Sequence, residues 1–406
     1  MHSTVGARSS MPEPSTSAPK RRKHVIVLTN GLWGRTHHWA TVQSYLTERL
    51  KESREEVEYH VHVSSANQLF DTYAGIDVCG DRLRDELDEV IRKDHADADA
   101  ISFVGHSMGG LICRNTIAKA FDQGKKKLVI GGRELQPMHY LSLATPHVGF
   151  GPVESCPMEH AWYIPFSRWI VPYVSSKILG DAGKQFFLRD DNKLILRMAG
   201  GEWLESLRSF KTRTAYGNVA GDHLVGWGNS CLRSRDETRE MREGIEALRD
   251  ATHRGVVRED AIELSTVSDP GPPSARPGAL RAPESQEDAL INLCALSWRR
   301  VDCSFKHSRL PGIAHQHIMV QRPRLNGVGR QTARHLADQL RLCVVCGWGR
   351  IPLQTSAKCM VRWPTYLDTF LTSARAHLRQ VRRDARCVVN RAAPCRHGIV
   401  RVIDHM

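Results

Sequence analysis

A chain of 406 residues and 45.7 kDa can bury a large core, and one α/β domain of about 250 to 300 residues is the natural reading. No run of about 18 uninterrupted apolar residues occurs, which excludes a transmembrane helix; Met1–Pro19 is rich in Ser, Thr and Pro without an apolar stretch, unlike a secretory signal. The net charge of +13 gathers at the ends, +4 over residues 1–24 and +9 over residues 341–406, so it says little about what the near-neutral middle binds.

The run Lys20-Arg21-Arg22-Lys23 reads as a solvated arm, residues 1–23, with a nuclear signal as the other reading. His24–Thr29 follows as a continuous β-branched strand, and Asn30-Gly31-Leu32-Trp33-Gly34 as a small-residue loop. His38–Lys51 has Trp39, Val42, Tyr45, Leu46 and Leu50 at helical spacing. Val57–Val63 alternates like a strand and would place His60 and His62 on one face, more as half-buried strand residues than as metal ligands. Ile76–Lys93 reads as a charged amphipathic helix.

Ile101–Leu111 organises the rest. A buried strand runs into Gly105-His106-Ser107-Met108-Gly109 and then into a helix carrying Leu111, Ile112, Ile117, Ala118 and Phe121. That strand–turn–helix is a nucleophile elbow, in which a serine on a strained corner projects its hydroxyl above the sheet. An upstream strand ending in Gly31–Gly34 then supplies the second oxyanion donor, so the N–H groups of Leu32 and Met108 are the expected pair. The alternation of strands and helices points to a mostly parallel, doubly wound sheet.

Met138–Leu143 is a further strand, and His147 beyond it is expected to shape the pocket rim. Trp162, Tyr163, Phe166, Trp169 and Tyr173 place five of 27 aromatics within twelve residues, which suits an inserted cap over residues 150–210, or plain packing helices. Arg213–Val219 reads as a strand, and Asp222 in the loop after it stands where an acid orienting a histidine belongs; His223 beside it reads as structural. Arg233–Gly255 reads as a charged surface helix, and residues 256–290, Pro-, Gly- and Ser-rich, as a disordered linker insertion. Ala295–Phe305 reads as the last strand, with His307, His315 and His317 as candidate bases after it. Arg330–Leu342 closes a domain spanning residues 24–341, and residues 342–406 form a basic, poorly structured tail.

Gly31–Gly34, Gly105–Gly110, Ala144–His147, Asp222–Trp227, Trp298–Asp302 and Ala314–Ile318 together resemble the eukaryotic lipase-like serine esterases, a branch of the α/β-hydrolases once catalogued as of unknown function. The resemblance covers residues 24–341 and implies the α/β-hydrolase fold. It also implies Ser107 as nucleophile, Asp222 as acid, His315 as base, and ester bonds of lipids as the substrate class. Asn30 departs from the histidine usual before the glycine, and the tail matches nothing in the family.

The expected activity is therefore a serine hydrolase acting on carboxylic esters of acyl lipids, with an acyltransferase on the same residues or a non-catalytic binding scaffold as alternatives. No cofactor or metal is expected: Cys343 and Cys346 form the only C-x-x-C, and Cys359, Cys387 and Cys395 are poorly spaced to complete a site. The expected partners are a lipid or small ester and a peripheral membrane surface, not nucleic acid. Eleven scattered cysteines fit an intracellular, cytoplasmic chain, with organelle import left open.

Overall fold

A computed structural model describes residues 21–51, 57–150, 173–174, 177–249, 255–259 and 283–347. The chain divides after Gly347, and all of these residues precede that point.

Strands β1 (Arg22–Thr29), β2 (Val57–Val63), β3 (Ala100–His106), β4 (Phe121–Asp122), β5 (Lys127–Ile130), β6 (Arg133–Leu143), β7 (Thr212–Asn218), β8 (Gly255–Glu259) and β9 (Arg299–Ser304) build the sheet. Its main order is β2-β1-β3-β6-β7-β9-β8, parallel throughout except where β8 runs against β9. This is the mostly parallel, doubly wound sheet that the alternation of strands and helices predicts. A β4–β5 hairpin pairs with the first residues of β6.

Both faces are covered, which is why the central strands are apolar without alternation. On one face Val25, Val27, Ile101 and Phe103 pack against α2 (Ile76–Asp94) and α3 (Met108–Ala120). Ile26, Leu28 and Val104 pack on the other face against α1 (Ala40–Lys51) and the helix Arg330–Gly347. In α2, buried Ile76, Cys79, Leu83, Leu87 and Ile91 recur every three or four residues, one stripe facing the sheet. The chain passes from β1 outward to β2 and then back across β1 to β3. That reversal opens a crevice at the carboxyl ends of β1 and β3, where open α/β sheets bind ligands.

Two expectations change, and between the alternatives for a third, cap or packing helices, the described residues favour one. Residues 256–290 are not one insertion: Gly255–Glu259 is strand β8 and Gln286–Cys294 a helix, because Val256 packs on the sheet and Ala289, Leu290 and Leu293 are buried. Within the expected cap, the helices Gly180–Phe186, Leu194–Arg197 and Gly201–Arg208 bury Ala182, Phe186, Ile195, Leu196, Leu204 and Leu207 in the same core as α3, so they are packing helices. Trp162, Tyr163, Phe166 and Trp169 lie outside the described residues. The closing helix runs on to Gly347, past the expected boundary at 341; residues 1–20 and 348–406 also lie outside the described residues, and the second of these stretches carries most of the C-terminal charge. Among the described residues no helix is long and apolar enough to cross a membrane.

The imidazoles of His24 and His139 are fully buried in the sheet itself. His24 bonds Ser102 Oγ at 2.8 Å, and His139 Nδ1 bonds Thr212 Oγ1 at 2.8 Å. Burial drives both pKa values down, His139 to about 3, so both are neutral in the fold. Unfolded, each takes up a proton near its ordinary value of about 6.5. Stability is therefore expected to fall as pH drops from about 6.5 toward 3, by up to about 1.4 kcal/mol per pH unit for each such histidine. Denaturant titrations across that range should show this slope, and His139→Asn should reduce it; a slope that the substitution leaves intact would assign the dependence elsewhere.

Candidate active site

Ser107 joins β3 to α3 with φ 55° and ψ −128°, a left-handed backbone that costs a residue with a side chain about 1–3 kcal/mol. The corner is tight. A Cβ on Gly105 would lie 2.4 Å from the Gly110 nitrogen, and one on Gly109 would lie 2.3 Å from the Thr29 carbonyl oxygen. The Ser107 N–H donates to the Leu143 carbonyl at 2.8 Å, tying the corner to β6.

The loop after β1 lies against this corner. A Cβ on Gly31 would stand 2.7 Å from Ser107 Cβ and 3.1 Å from the Met108 nitrogen. A turn closed by the Gly34 N–H on the Gly31 carbonyl, 3.0 Å, carries Leu32 and Trp33. The 3-10 segment Leu69–Ala74 pins the turn from outside through Leu69 N–H to the Gly34 carbonyl, 3.1 Å, and Trp33 Nε1–H to Tyr73 Oη, 2.5 Å. Among the described residues, the N–H groups of Leu32 and Met108 have no acceptor in the protein. Unpaired backbone donors beside a serine are what an oxyanion requires.

His315 comes from the far side of the sheet, on the short helix Ala314–His317 after β9. Its Nδ1 lies 3.0 Å from Asp222 Oδ2. Asp222 also accepts from Asn218 Nδ2 at 2.7 Å and from the N–H groups of Leu224 and Val225 at 3.0 and 2.9 Å. Burial alone would raise its pKa; the His315 ring and these donors outweigh burial and hold the carboxyl below its ordinary value. An ionised Asp222 fixes the Nδ1–H tautomer of His315 and leaves Nε2 as the acceptor.

Two further bonds place the ring. His106, next to Ser107, donates Nε2–H to the His315 carbonyl at 2.9 Å, and the Ala314 N–H donates to the Gly221 carbonyl at 3.2 Å. Burial, then the nearby His315, lowers the His106 pKa to about 3, so its ring is a neutral strut rather than a proton carrier. Ser107 and His315 line one cavity of about 250 Å³. No hydrogen bond joins the Ser107 hydroxyl to the ring among the described residues; such contacts tighten when substrate fills the site.

The cavity crosses the edge of the sheet. On the α3 side its wall is Leu32, Phe150, Leu179, Phe186 and Phe187, with the Phe150 ring 4.9 Å from Phe186. On the α1 side it meets His38, Gln316, Met319 and Gln321. Sequence reasoning marked Gly31, Leu32, His106, Ser107 and His315, all of which line it, while Gly105 and Gly109 shape the corner from behind. It missed the phenylalanines, His38 and Gln321, which carry no motif and are gathered only by the tertiary fold.

His147 is a correction. It is fully buried, bonded through Nε2 to Ser142 Oγ at 2.9 Å, and edge-on to Trp298 at 5.5 Å between centroids. It does not line the cavity. Its carbonyl accepts from the buried Arg114 Nη1 at 3.0 Å, so it serves the core below the site. His223 is exposed, with Gly312 against its ring, and His317 is buried and bonded by Ser308, Leu310 and Asn326. Among the described residues no three His, Cys, Asp or Glu side chains gather where they could hold a metal ion.

The family described as "Putative serine esterase (DUF676)" matches residues 19–232, more than half of the chain, including Ser107 and Asp222 but ending before His315. "Putative lipase ROG1" of Saccharomyces cerevisiae is 27% identical over 256 residues, covering 60% of this chain and 33% of its own. "Putative lipase YDL109C" of the same yeast is 27% identical over 226 residues, covering 52% and 30%. The chain thus spans about a third of the length of these curated relatives. Among solved structures, phospholipase PlaB from Legionella pneumophila with thio-NAD is similar over 48% of this chain and 38% of its own, at 13% identity and a TM-score of 0.34. A lipase-esterase related protein from Clostridium acetobutylicum is similar over 48% and 74%, at 12% identity and a TM-score of 0.23.

Replacing His106 by Phe keeps a ring but leaves the His315 carbonyl without its buried donor. The expected cost is about 1–3 kcal/mol in denaturant unfolding, with the His106→Gln protein recovering part of it. Equal stability of the Phe variant and the parent would show that the bond anchors nothing.

Proposed function

The chain belongs to the "Putative serine esterase (DUF676)" family, a lipase-like group of hydrolases, and from that premise we propose that it cleaves carboxylic ester bonds of acyl lipids through Ser107, His315 and Asp222. One observation carries the reading: the Asp222–His315 hydrogen bond of 3.0 Å lies at the wall of the cavity that Ser107 also lines.

His315 Nε2 takes the hydroxyl proton as Ser107 Oγ attacks the ester carbonyl carbon. The resulting oxyanion rests on the N–H groups of Leu32 and Met108, each worth roughly 3 kcal/mol to the transition state. Collapse of the tetrahedral species breaks the bond to the alcohol oxygen, which receives the proton from His315. A water, deprotonated by the same ring, then attacks the acyl-serine; the acid leaves and Ser107 regains its proton. Asp222 stays ionised throughout and stabilises the imidazolium. The phenylalanine-lined part of the cavity supports an acyl chain as the apolar group bound there.

Ser107→Ala is expected to abolish both fluorophosphonate labelling and ester turnover, and Asp222→Asn to lower kcat by about 10⁴-fold with the fold kept. Continued labelling of the alanine variant would place the nucleophile elsewhere. Product analysis with glycerol added is expected to show free acid, whereas an acylglycerol product would assign transfer instead.

A further inference from the structure

At the mouth of the cavity, large apolar side chains face water. Trp33 and Leu224 both line the cavity yet are 45% and 41% exposed, so they stand at its opening rather than in its depth. From Trp33 the apolar surface continues outward. Its ring meets Tyr73 edge-on at 6.2 Å, and Tyr73 meets Phe70 edge-on at 5.6 Å. Phe70 is 71% exposed, the most of any large apolar side chain among the described residues. Gly180 packs on the backbone of Tyr73, where an added Cβ would lie 2.8 Å from the carbonyl oxygen. The segment of the lining residue Leu179 is thereby brought against the same 3-10 turn.

Holding the oxyanion turn does not account for these rings being in water. Leu69 and Tyr73 make the bonds that pin that turn, and Phe70 makes neither of them. The polar tips of the neighbouring pair are spent on each other: Trp33 Nε1–H donates to Tyr73 Oη, so the two rings turn mainly apolar surface outward. Grouped aromatic rings of this kind suit the boundary of a lipid layer, where an apolar ring face is taken out of water. Whatever covers the rim must also leave the substrate a way in. A folded protein or a second copy of this chain seated there would close the mouth, whereas a lipid layer covers the rings and itself holds the ester.

We infer that Trp33, Phe70 and Leu224 seat the mouth of the cavity on a lipid surface, from which an acyl ester enters without crossing water. The inference rests on the ester-hydrolase reading, because it is the entry of an acyl chain between these residues that selects lipid over protein.

Binding is tested on the full-length Ser107→Ala protein with vesicles of phosphatidylcholine, whose zero net charge gives the basic ends of the chain little to attract. The parent is expected to co-sediment with the vesicles, Phe70→Asp to bind about tenfold more weakly or less, and Phe70→Leu to keep most of the binding. Phe70→Trp is expected to bind and to add emission that brominated acyl chains quench. No vesicle binding by the parent, binding that Phe70→Asp leaves unchanged, or added emission that bromine does not quench overturns the proposal.

Turnover with Ser107 in place separates the surface from the site. Phe70→Asp is expected to keep the parent's kcat/KM on soluble p-nitrophenyl butyrate, which also shows that it folds, and to lose about tenfold or more on an acylglycerol carried in the vesicles. Equal losses on both substrates would assign Phe70 to the site itself and overturn its role as a surface. If no ester is hydrolysed yet vesicle binding still falls with Phe70→Asp, the hydrolase reading fails and the lipid surface stands. A dimer that Phe70→Asp dissociates, in a protein that binds no vesicles, would give the rim to a second copy and overturn lipid as its partner.

Discussion

Everything at the carboxyl end of the sheet depends on one backbone corner. Ser107 is held at φ 55° between a fully buried strand and a nearly fully buried helix. The corner survives because the chain around it is short of side chains: β3 and α3 approach each other at Gly105, and α3 approaches β1 at Gly109. The same closeness brings the Asn30–Gly34 loop against Ser107. Position of the hydroxyl and position of the neighbouring backbone donors are thus one constraint, met by packing rather than by flexible contacts.

The second half of the site is assembled from chain more than one hundred residues away, and its precision comes from backbone anchoring. His315 belongs to a helix of one turn, too short to be rigid alone. It is fixed by bonds to its own carbonyl from His106 and from Ala314 to Gly221, so the elbow and the acid loop each grip the segment that bears the ring. Asp222 is itself gripped by four donors. The family match ends at residue 232, so the membership of His315 in the site rests on this geometry rather than on the match.

How much of this was legible in the sequence follows from how local each signal is. β1, β2, α2, β3 and α3 were readable because their apolar spacing is regular over seven or more residues and the elbow glycines have a steric reason. Ser107 and Asp222 were readable from their places after strands, whereas separating His315 from His307 and His317 rested partly on resemblance. β5 and β8, with four and five residues, are too short for a period to emerge and exist through their partners β6 and β9. His147 misled because a polar residue in a loop after a strand usually faces solvent; here Arg114 and Trp298 enclose it. His38 and Gln321 lie 283 positions apart, and no pattern in the chain announces their contact.

The two outer strands carry a consequence of another kind. A large sheet with open flanks invites a second molecule to add a strand, the route to fibrillar association. At one flank β8 has only five residues, runs backward, and has Glu259 clamped to Arg299 at 3.2 Å and His335 at 3.1 Å. At the other, β2 presents Glu58, His60 and His62 in alternation, ionisable groups that an incoming strand would have to desolvate. Brevity guards one flank and polarity the other, so a sheet of this width can remain a solitary object.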